Sequence, residues 1–126
     1  MRKPTLTILV VLTAGALALA GSALGRGTAT PTLKGTVGPG YTIHLTKNGK
    51  KVTSLKAGKY KFVVSDKASI HDFTLEKEKG AGHFEKHITG IGFTGSKTMT
   101  VKLTKGSWRT YCSIHESQIH QDFKVK

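Results

Sequence analysis

The feature that most constrains the fold is an alternation of apolar and polar residues between residues 41 and 125. Successive side chains of a β-strand point to opposite faces of the sheet, so a period of two is typical of strands that bury one face. The residues on the inward side of these runs are Tyr41, Ile43, Leu45, Tyr60, Phe62, Val64, His71, Phe73, Leu75, Met99, Val101, Leu103, Trp108, Thr110, Cys112, Phe123 and Val125. The pattern predicts an all-β protein, a β-sandwich of about seven or eight strands.

Turn-forming residues separate these runs and indicate short strands joined by tight connections. They are Gly38-Pro39-Gly40, Asn48-Gly49, Ala57-Gly58, Ser65-Asp66, Gly95-Ser96 and Lys105-Gly106. Residues 76–95 interrupt the alternation and contain five glycines, so we expect one long crossing loop there, with at most a single helical turn. His83 and His87 stand four residues apart in this loop, and they would share a metal ion only if it were helical.

The sequence opens with two basic residues in its first four positions, followed by an apolar run over residues 6–20 that ends in small residues. This organisation is that of a secretory signal peptide, so we predict that residues 1–20 are removed on export. The run is short for a membrane span, which needs about 20 apolar residues. Residues 21–32 are small and polar and predict a flexible segment, which leaves residues 33–126 as one folded domain. We therefore expect an exported protein, located in the extracellular space, the cell envelope or the periplasm, with no membrane-spanning segment after cleavage.

The chain is strongly basic, with 20 Lys and Arg against 7 Asp and Glu and a net charge of +13. Without residues 1–20 it would keep 18 basic residues and a net charge of +11. Such a charge favours an acidic redox partner protein or an anionic cell surface as the binding partner. The basic residues are spread along the chain with no run of five, so we predict no nucleic-acid binding. We expect the protein to be a monomer.

Cys112 is the single cysteine of a chain that is predicted to enter an oxidising compartment. It cannot form an internal disulfide, and an exposed thiol would be open to oxidation, so it is either buried and inert or bound to a metal. His115 follows it by three positions, and His71 shares its inward parity with Phe73 and Leu75. A buried imidazole needs a polar partner, because an unsatisfied polar group is costly in an apolar interior. One metal ion held by His71, Cys112 and His115 would meet both requirements, and this ligand set is that of blue-copper sites.

Four segments resemble the cupredoxins, the family of plastocyanin and pseudoazurin. They are residues 57–64 (AGKYKFVV), 70–75 (IHDFTL), 93–98 (FTGSKT) and 111–115 (YCSIH), and the resemblance covers most of residues 36–126. It implies a Greek-key sandwich with one copper ion at one end, which cycles between Cu(I) and Cu(II). By position in the family's motifs, the copper ligands are His71, Cys112 and His115.

The chain departs from the family at the axial position, where cupredoxins usually have a methionine a few residues after the second histidine. Here Ile119 takes that position, and Gln121 replaces the usual glycine. The site would lack an axial ligand, or Gln118 would supply an oxygen, or His120 would turn inward. Loss of the axial ligand would raise the reduction potential. Asp72 follows the first histidine, where relatives often have a polar residue that joins the two ligand loops, so we expect it to support the ligands.

The sequence therefore favours a secreted one-electron carrier with a mononuclear copper site of the blue type. The alternative is a copper storage or delivery protein without a redox role, in which His83, His87 or His120 would assist. A third possibility is a metal-free basic module that binds an anionic surface. We predict a non-enzyme, since the sequence shows no general acid–base pair and no nucleophile beside a base.

Overall fold

A computed structural model describes residues 29–126 and contains ten β-strands in that range. In chain order they are β1 Thr32–Val37, β2 Ile43–Lys47, β3 Lys50–Lys51, β4 Ser54–Leu55, β5 Gly58–Asp66, β6 Thr74–Lys79, β7 Glu85–His87, β8 Gly95–Leu103, β9 Gly106–Tyr111 and β10 His120–Val125. The predicted signal peptide and most of the predicted flexible segment lie outside the described residues. Within residues 29–126, no helix has the length and apolar character that crossing a bilayer requires.

The strands form two five-stranded sheets, in the orders β3-β2-β1-β5-β8 and β4-β10-β9-β6-β7. The pairs β1–β5 and β4–β10 are parallel, and the other pairs are antiparallel. The prediction of an all-β sandwich is confirmed. More strands are present than the seven or eight predicted because β3, β4 and β7 contain only two or three residues. Strands this short show too little alternation to be recognised in the sequence.

One hydrophobic core fills the space between the sheets and draws side chains from both of them. The inward-facing residues predicted from the alternation are buried, with two exceptions. Met99 is partly buried and packs against the core. Tyr41 is 58% exposed and precedes β2 instead of belonging to it, so its predicted place in the core is wrong.

Residues 76–95 differ from the single long loop that we predicted. β6 continues to Lys79, and the short strand β7 pairs with it in antiparallel orientation. The three residues of β7 are all exposed, so this edge strand buries no face and produces no apolar alternation. His87 lies in β7 and not on a helix, so the condition under which His83 and His87 would share a metal ion is not met.

A glycine in β1 makes room for the segment that carries His71. The ring of Phe73 packs over Gly35 so closely that a Cβ atom on the glycine would lie 2.7 Å from it. Protein interiors are close-packed, so an alanine here would push the Phe73 ring away. Gly35 therefore sets how deeply the chain around His71 enters the sandwich.

Gln121 joins the two sheets through its side-chain amide. It is 5% exposed, its Nε2 donates hydrogen bonds to the carbonyls of Leu45 and Val52, both at 3.0 Å, and its Oε1 accepts one from the N–H of Leu45 at 2.9 Å. Leu45 belongs to β2 of the first sheet, whereas Gln121 belongs to β10 of the second. This amide consequently holds the two layers together near the loop that precedes β10.

Candidate metal centre

The side chains of His71, Cys112 and His115 converge at one end of the sandwich. Nδ1 of His71 lies 3.2 Å from Nδ1 of His115, and Sγ of Cys112 lies 3.7 Å from each of these nitrogens. His71 and Cys112 are fully buried, whereas His115 is partly exposed. Solvent therefore reaches the cluster from the side of His115.

A closed turn between β5 and β6 positions His71. Asp66, the last residue of β5, is buried and its Oδ1 accepts a hydrogen bond from the N–H of Ala68 at 3.1 Å. The carbonyl of Ala68 in turn accepts the N–H of His71 at 2.9 Å. These bonds fix the backbone immediately before the imidazole, so the location of His71 follows from the end of β5.

Cys112 and His115 lie on the compact loop between β9 and β10. The N–H of Cys112 donates to the carbonyl of Ile119 at 3.1 Å, and the N–H of His115 donates to the carbonyl of Cys112 at 3.1 Å. The carbonyl of His115 accepts the N–H groups of Gln118 and Ile119 at 3.0 and 2.8 Å. The loop is thus closed by its own backbone, which holds both side chains at the mouth of the core.

The separations of the three atoms fit a single metal ion between them. Bonds of about 2.0–2.3 Å from a metal to imidazole nitrogen and thiolate sulfur place N and S roughly 3.5–3.8 Å apart at tetrahedral to trigonal angles. The observed S···N distances of 3.7 Å lie in this range, and the N···N distance of 3.2 Å requires a slightly narrower angle. Two imidazoles and one thiolate are the donors of blue-copper sites.

The protonation chemistry of the cluster also suits a cation. Burial raises the pKa of the Cys112 thiol, so the group binds a metal by releasing its proton. Nε2 of His71 is buried without a hydrogen-bond partner, whereas its Nδ1 faces the other two side chains. In the tautomer with the ring proton on Nε2, each Nδ1 presents a lone pair to the centre of the cluster, where one cation would accept both of them.

Asp72 links the segment of His71 to the loop of Cys112. Its Oδ1 accepts a hydrogen bond from the N–H of Ser113 at 2.6 Å, and its Oδ2 accepts one from the Ser113 hydroxyl at 2.7 Å. Burial by itself would raise the pKa of Asp72, but the hydrogen bonds from Ser113 and His87 outweigh it and hold the pKa below its usual value. At neutral pH the carboxylate is therefore ionised and fully bonded behind the ligands.

His87 belongs to the same network. Its Nδ1 lies 2.9 Å from Oδ2 of Asp72 and 2.8 Å from the hydroxyl of Thr74, while most of its ring faces solvent. His83 is exposed in the connection between β6 and β7. In the part of the chain that the structure describes, His71, Cys112 and His115 form the one group of three or more metal-binding side chains within ligand distance of one another.

Of the three candidates for the axial position, Ile119 is the buried one. Its side chain is 1% exposed and belongs to the same core cluster as Cys112. Gln118 and His120 are both exposed, and Nδ1 of His120 lies 2.8 Å from the carbonyl of Glu116. The interior beside the ligand loop is therefore lined by an aliphatic side chain, whereas the amide and the third imidazole point to the surface.

Tyr41 is a site residue that the sequence analysis missed. Its ring packs edge to face on both imidazoles, with centroid distances of 5.1 Å to His71 and 5.0 Å to His115. The alternation assigned it to the core, although Gly38-Pro39-Gly40 directly before it signals a turn. That turn signal could have indicated that Tyr41 precedes the strand and lies at the end of the sandwich.

Comparison with solved structures finds copper proteins of the same architecture. The copper protein rusticyanin has a TM-score of 0.56 and 14% identity to this chain, over 77% of this chain and 78% of rusticyanin. Reduced rusticyanin gives a TM-score of 0.54 and 20% identity, over 77% and 79% of the two chains. A multi-copper oxidase from Pediococcus acidilactici gives a TM-score of 0.51 and 15% identity, over 83% of this chain and 28% of the oxidase, so this likeness is to one part of that enzyme.

No protein-family model matches the sequence, and none of the curated proteins matches it. The likeness to rusticyanin therefore concerns the fold, which the four sequence segments had implied independently. The two mixed five-stranded sheets, with a His-Cys-His cluster at one end, agree with the likeness to rusticyanin and with the resemblance of the four segments. The chain therefore has a cupredoxin-like fold.

Proposed function

We propose that this protein is an exported carrier of single electrons, with one copper ion held by His71, Cys112 and His115. The proposal depends on the approach of one sulfur and two Nδ1 nitrogens to 3.7, 3.7 and 3.2 Å of one another, within a cupredoxin fold. Copper bound there would supply a one-electron Cu(I)/Cu(II) couple, since thiolate and imidazole donors suit it. The role of the chain is to hold these donors and to connect them to a partner.

The donors occupy nearly fixed positions. His71 and Cys112 are enclosed by a close-packed interior, where side chains have little room to shift. The bonds between Asp72 and Ser113 fix the two ligand segments relative to each other. When the donors do not move, little structural rearrangement accompanies each electron transfer, and this favours rapid exchange.

His115 is the best exit for an electron because it is the one partly exposed member of the cluster. Exposed apolar residues lie next to the candidate ligands: Ile70 precedes His71, Ile114 precedes His115, and Tyr41 packs on both imidazoles, with exposures of 57%, 58% and 58%. Exposed apolar groups of this kind mark protein interaction sites. We infer that a redox partner docks at this end, and the net charge of +11 that remains without residues 1–20 favours an acidic one.

The arrangement supports a carrier better than an enzyme. Three clefts formed by the described residues are lined by other parts of the chain, and none of these three includes His71, Cys112 or His115. A substrate pocket beside the cluster would be needed for catalysis. Ile119, buried next to the ligand loop, supports three-coordinate copper under an apolar cap and hence a high reduction potential.

The test is the absorption spectrum and the voltammetry of the protein loaded with one equivalent of copper. A carrier shows an intense blue colour from thiolate-to-copper charge transfer together with a reversible one-electron wave. Tight Cu(I) binding without the colour and the wave would identify a storage or delivery protein instead. Failure to bind copper in either oxidation state would overturn both functions. The matched variant, Cys112→Ser, should be colourless and keep its far-ultraviolet circular dichroism.

A further inference from the structure

Charge is distributed unequally between the two sheets. The strands of the first sheet contain eight lysines and a single acid, Asp66, which is buried. The strands of the second sheet contain five basic and four acidic residues. The ion pairs among residues 29–126 are formed by Arg109 on the second sheet and by His87 with Asp72. The lysines of the first sheet thus have no acidic partner in the described part of the chain.

The lysines are densest around a cleft at the end of the sandwich opposite the metal centre. The cleft has a volume of about 590 Å³, and no acidic residue lines it. The basic residues that line it are Lys47, Lys50, Lys51, Lys56 and Lys126. It lies beside the start of β5, whose nine residues extend about 26 Å towards the turn that holds His71. An anion in this cleft would be remote from the copper ligands.

The cleft lysines are also placed directly against one another. Lys47 and Lys50 are cross-strand partners in β2 and β3, and Lys51 follows in the same two-residue strand. Like charges directly opposite each other destabilise a sheet. On the same sheet, Lys59 opposes Lys102 in the pairing of β5 with β8. An anion bound in the cleft would offset the repulsion between Lys47 and Lys50.

We propose that this cleft binds inorganic polyphosphate, a flexible linear chain of phosphate groups. Lysines bind phosphate as point charges, and several of them along an open cleft match a flexible chain of anionic groups. The apolar side chains that line the cleft, Val52, Leu55 and Tyr60, are 3%, 7% and 5% exposed. They offer no anchor of the kind on which protein–protein affinity depends.

A bilayer surface fits the cleft less well than a polymer chain. Binding to membrane surfaces combines basic residues with exposed apolar side chains that enter the interface. The large apolar residues that are exposed in the described range are Tyr41, Ile70, Ile91 and Ile114, and none of them lines the cleft. A polymer bound at the lysine cleft would keep the carrier close to an anionic matrix while its metal end stays free for a redox partner.

The experiment measures the affinity of the purified protein for polyphosphate at several salt concentrations. Contact with five lysines predicts that log Kd rises with log salt concentration with a slope of about 3 to 4. The variant Lys50→Gln/Lys51→Gln/Lys56→Gln should reduce the slope by about 2 and weaken binding roughly 100-fold in 0.1 M salt, since each unit of slope corresponds to a factor of about ten between 1 M and 0.1 M salt. The control variant Lys67→Gln/Lys79→Gln/Lys86→Gln removes the same charge from exposed positions outside the cleft. It should change the affinity less than about threefold.

Three outcomes would overturn the proposal: equal weakening in the two triple variants, absence of polyphosphate binding at low salt, or binding restricted to vesicles of anionic lipid. Equal weakening would mean that binding follows the net charge and not the cleft. Because Lys50, Lys51 and Lys56 are exposed and lie at the end of the sandwich opposite the metal centre, the cleft variant should keep the copper spectrum of the parent protein. The result is therefore independent of the proposed electron-carrier function.

Discussion

The carboxylate of Asp72 accepts two hydrogen bonds from Ser113, one from its backbone N–H at 2.6 Å and one from its hydroxyl at 2.7 Å. Asp72 is adjacent to His71, and Ser113 is adjacent to Cys112, so this pair connects the neighbours of two candidate copper ligands that are far apart in sequence. Of the two residues, Asp72 is buried, with 1% of its surface exposed. The connection sets the separation of the two ligands before any metal binds.

Asp72→Ala should weaken copper binding about 10- to 100-fold, because groups that orient metal ligands typically contribute this much. It should also lower the free energy of unfolding by about 3 kcal/mol, since it leaves the N–H of Ser113 without its acceptor. Competition with a chelator and urea unfolding measure the two effects. Ser113→Ala is the matched control: it removes only the hydroxyl bond and should cost about 1 kcal/mol. Equal losses in the two variants would show that the backbone bond contributes nothing.

Copper uptake should be coupled to proton release at Cys112. Burial raises the pKa of this thiol, so the metal-free protein keeps the proton at neutral pH and binding displaces it. We therefore expect copper affinity to increase with pH, by up to about tenfold per pH unit below the thiol pKa. Affinity measured between pH 6 and 8 in a non-coordinating buffer checks this. A pH-independent affinity would mean that the thiol is already ionised before the metal arrives.

Arg109 should determine the acid titration of Asp122. Nε of Arg109 lies 2.6 Å from the Asp122 carboxylate, and this contact holds the pKa of Asp122 below its usual value. A lowered folded-state pKa stabilises the protein above the unfolded pKa of about 3.9, and this stabilisation is lost as the pH falls through the lower folded value. In Arg109→Gln, the Asp122 pKa measured by NMR should return towards its ordinary value. An unchanged pKa would assign the shift to other groups.

The sequence predicted the sandwich because its long strands bury one face in strict alternation. Phe62 and Val64 in β5, and Val101 and Leu103 in β8, lie in the core as their parity indicates. Asn48 has a φ of 51°, which agrees with the tight hairpin turn expected between β2 and β3. The structure also brings His71, Cys112 and His115 together, although β5, which precedes His71, and β9, which precedes the other two, are far apart in the sequence.

Two kinds of feature escaped prediction, for different physical reasons. β7 is an edge strand with both faces exposed, so its only structural signal is backbone pairing with β6, which leaves no pattern in the side chains. Tyr41 is apolar and in phase with Ile43, yet it lies beyond the strand, on the two imidazoles. Its position depends on a contact between distant segments, which no local pattern records. The axial position was left open for the same reason, until burial distinguished Ile119 from its polar neighbours.

Ile119→Met should lower the reduction potential of the copper site. A thioether at this position would add a weak axial donor, which stabilises the oxidised ion relative to the present aliphatic side chain. We expect a decrease of about 60 mV or more, equivalent to a tenfold change in the one-electron equilibrium. Protein-film voltammetry measures it, and Ile119→Leu, which keeps the apolar character, should stay within about a third of that shift. If methionine and leucine give the same potential, residue 119 does not approach the metal.

Gln121→Leu should cause the largest loss of stability among these variants. The amide of Gln121 supplies partners to the N–H and the carbonyl of Leu45 and to the carbonyl of Val52, all of them backbone groups of buried residues. Leucine has nearly the same size but can bond to none of them. The carbonyl of Leu45 keeps the N–H of Val52 as a donor at 3.0 Å, whereas the N–H of Leu45 and the carbonyl of Val52 lose their partner, and each such buried group costs about 1–3 kcal/mol. Urea unfolding should therefore show a loss of about 3–5 kcal/mol.

The control is Gln118→Leu, which changes an exposed glutamine in the loop before β10 and should alter stability by less than about 0.5 kcal/mol. If Gln121→Leu lost less than about 1 kcal/mol, water would have to satisfy the N–H of Leu45 and the carbonyl of Val52 in place of the amide. A large loss in Gln121→Leu with an unchanged copper spectrum at low temperature would locate the effect in the contact between β2 and β10. The glutamine that replaces the family's usual glycine would then be a structural link between the sheets, separate from the metal centre.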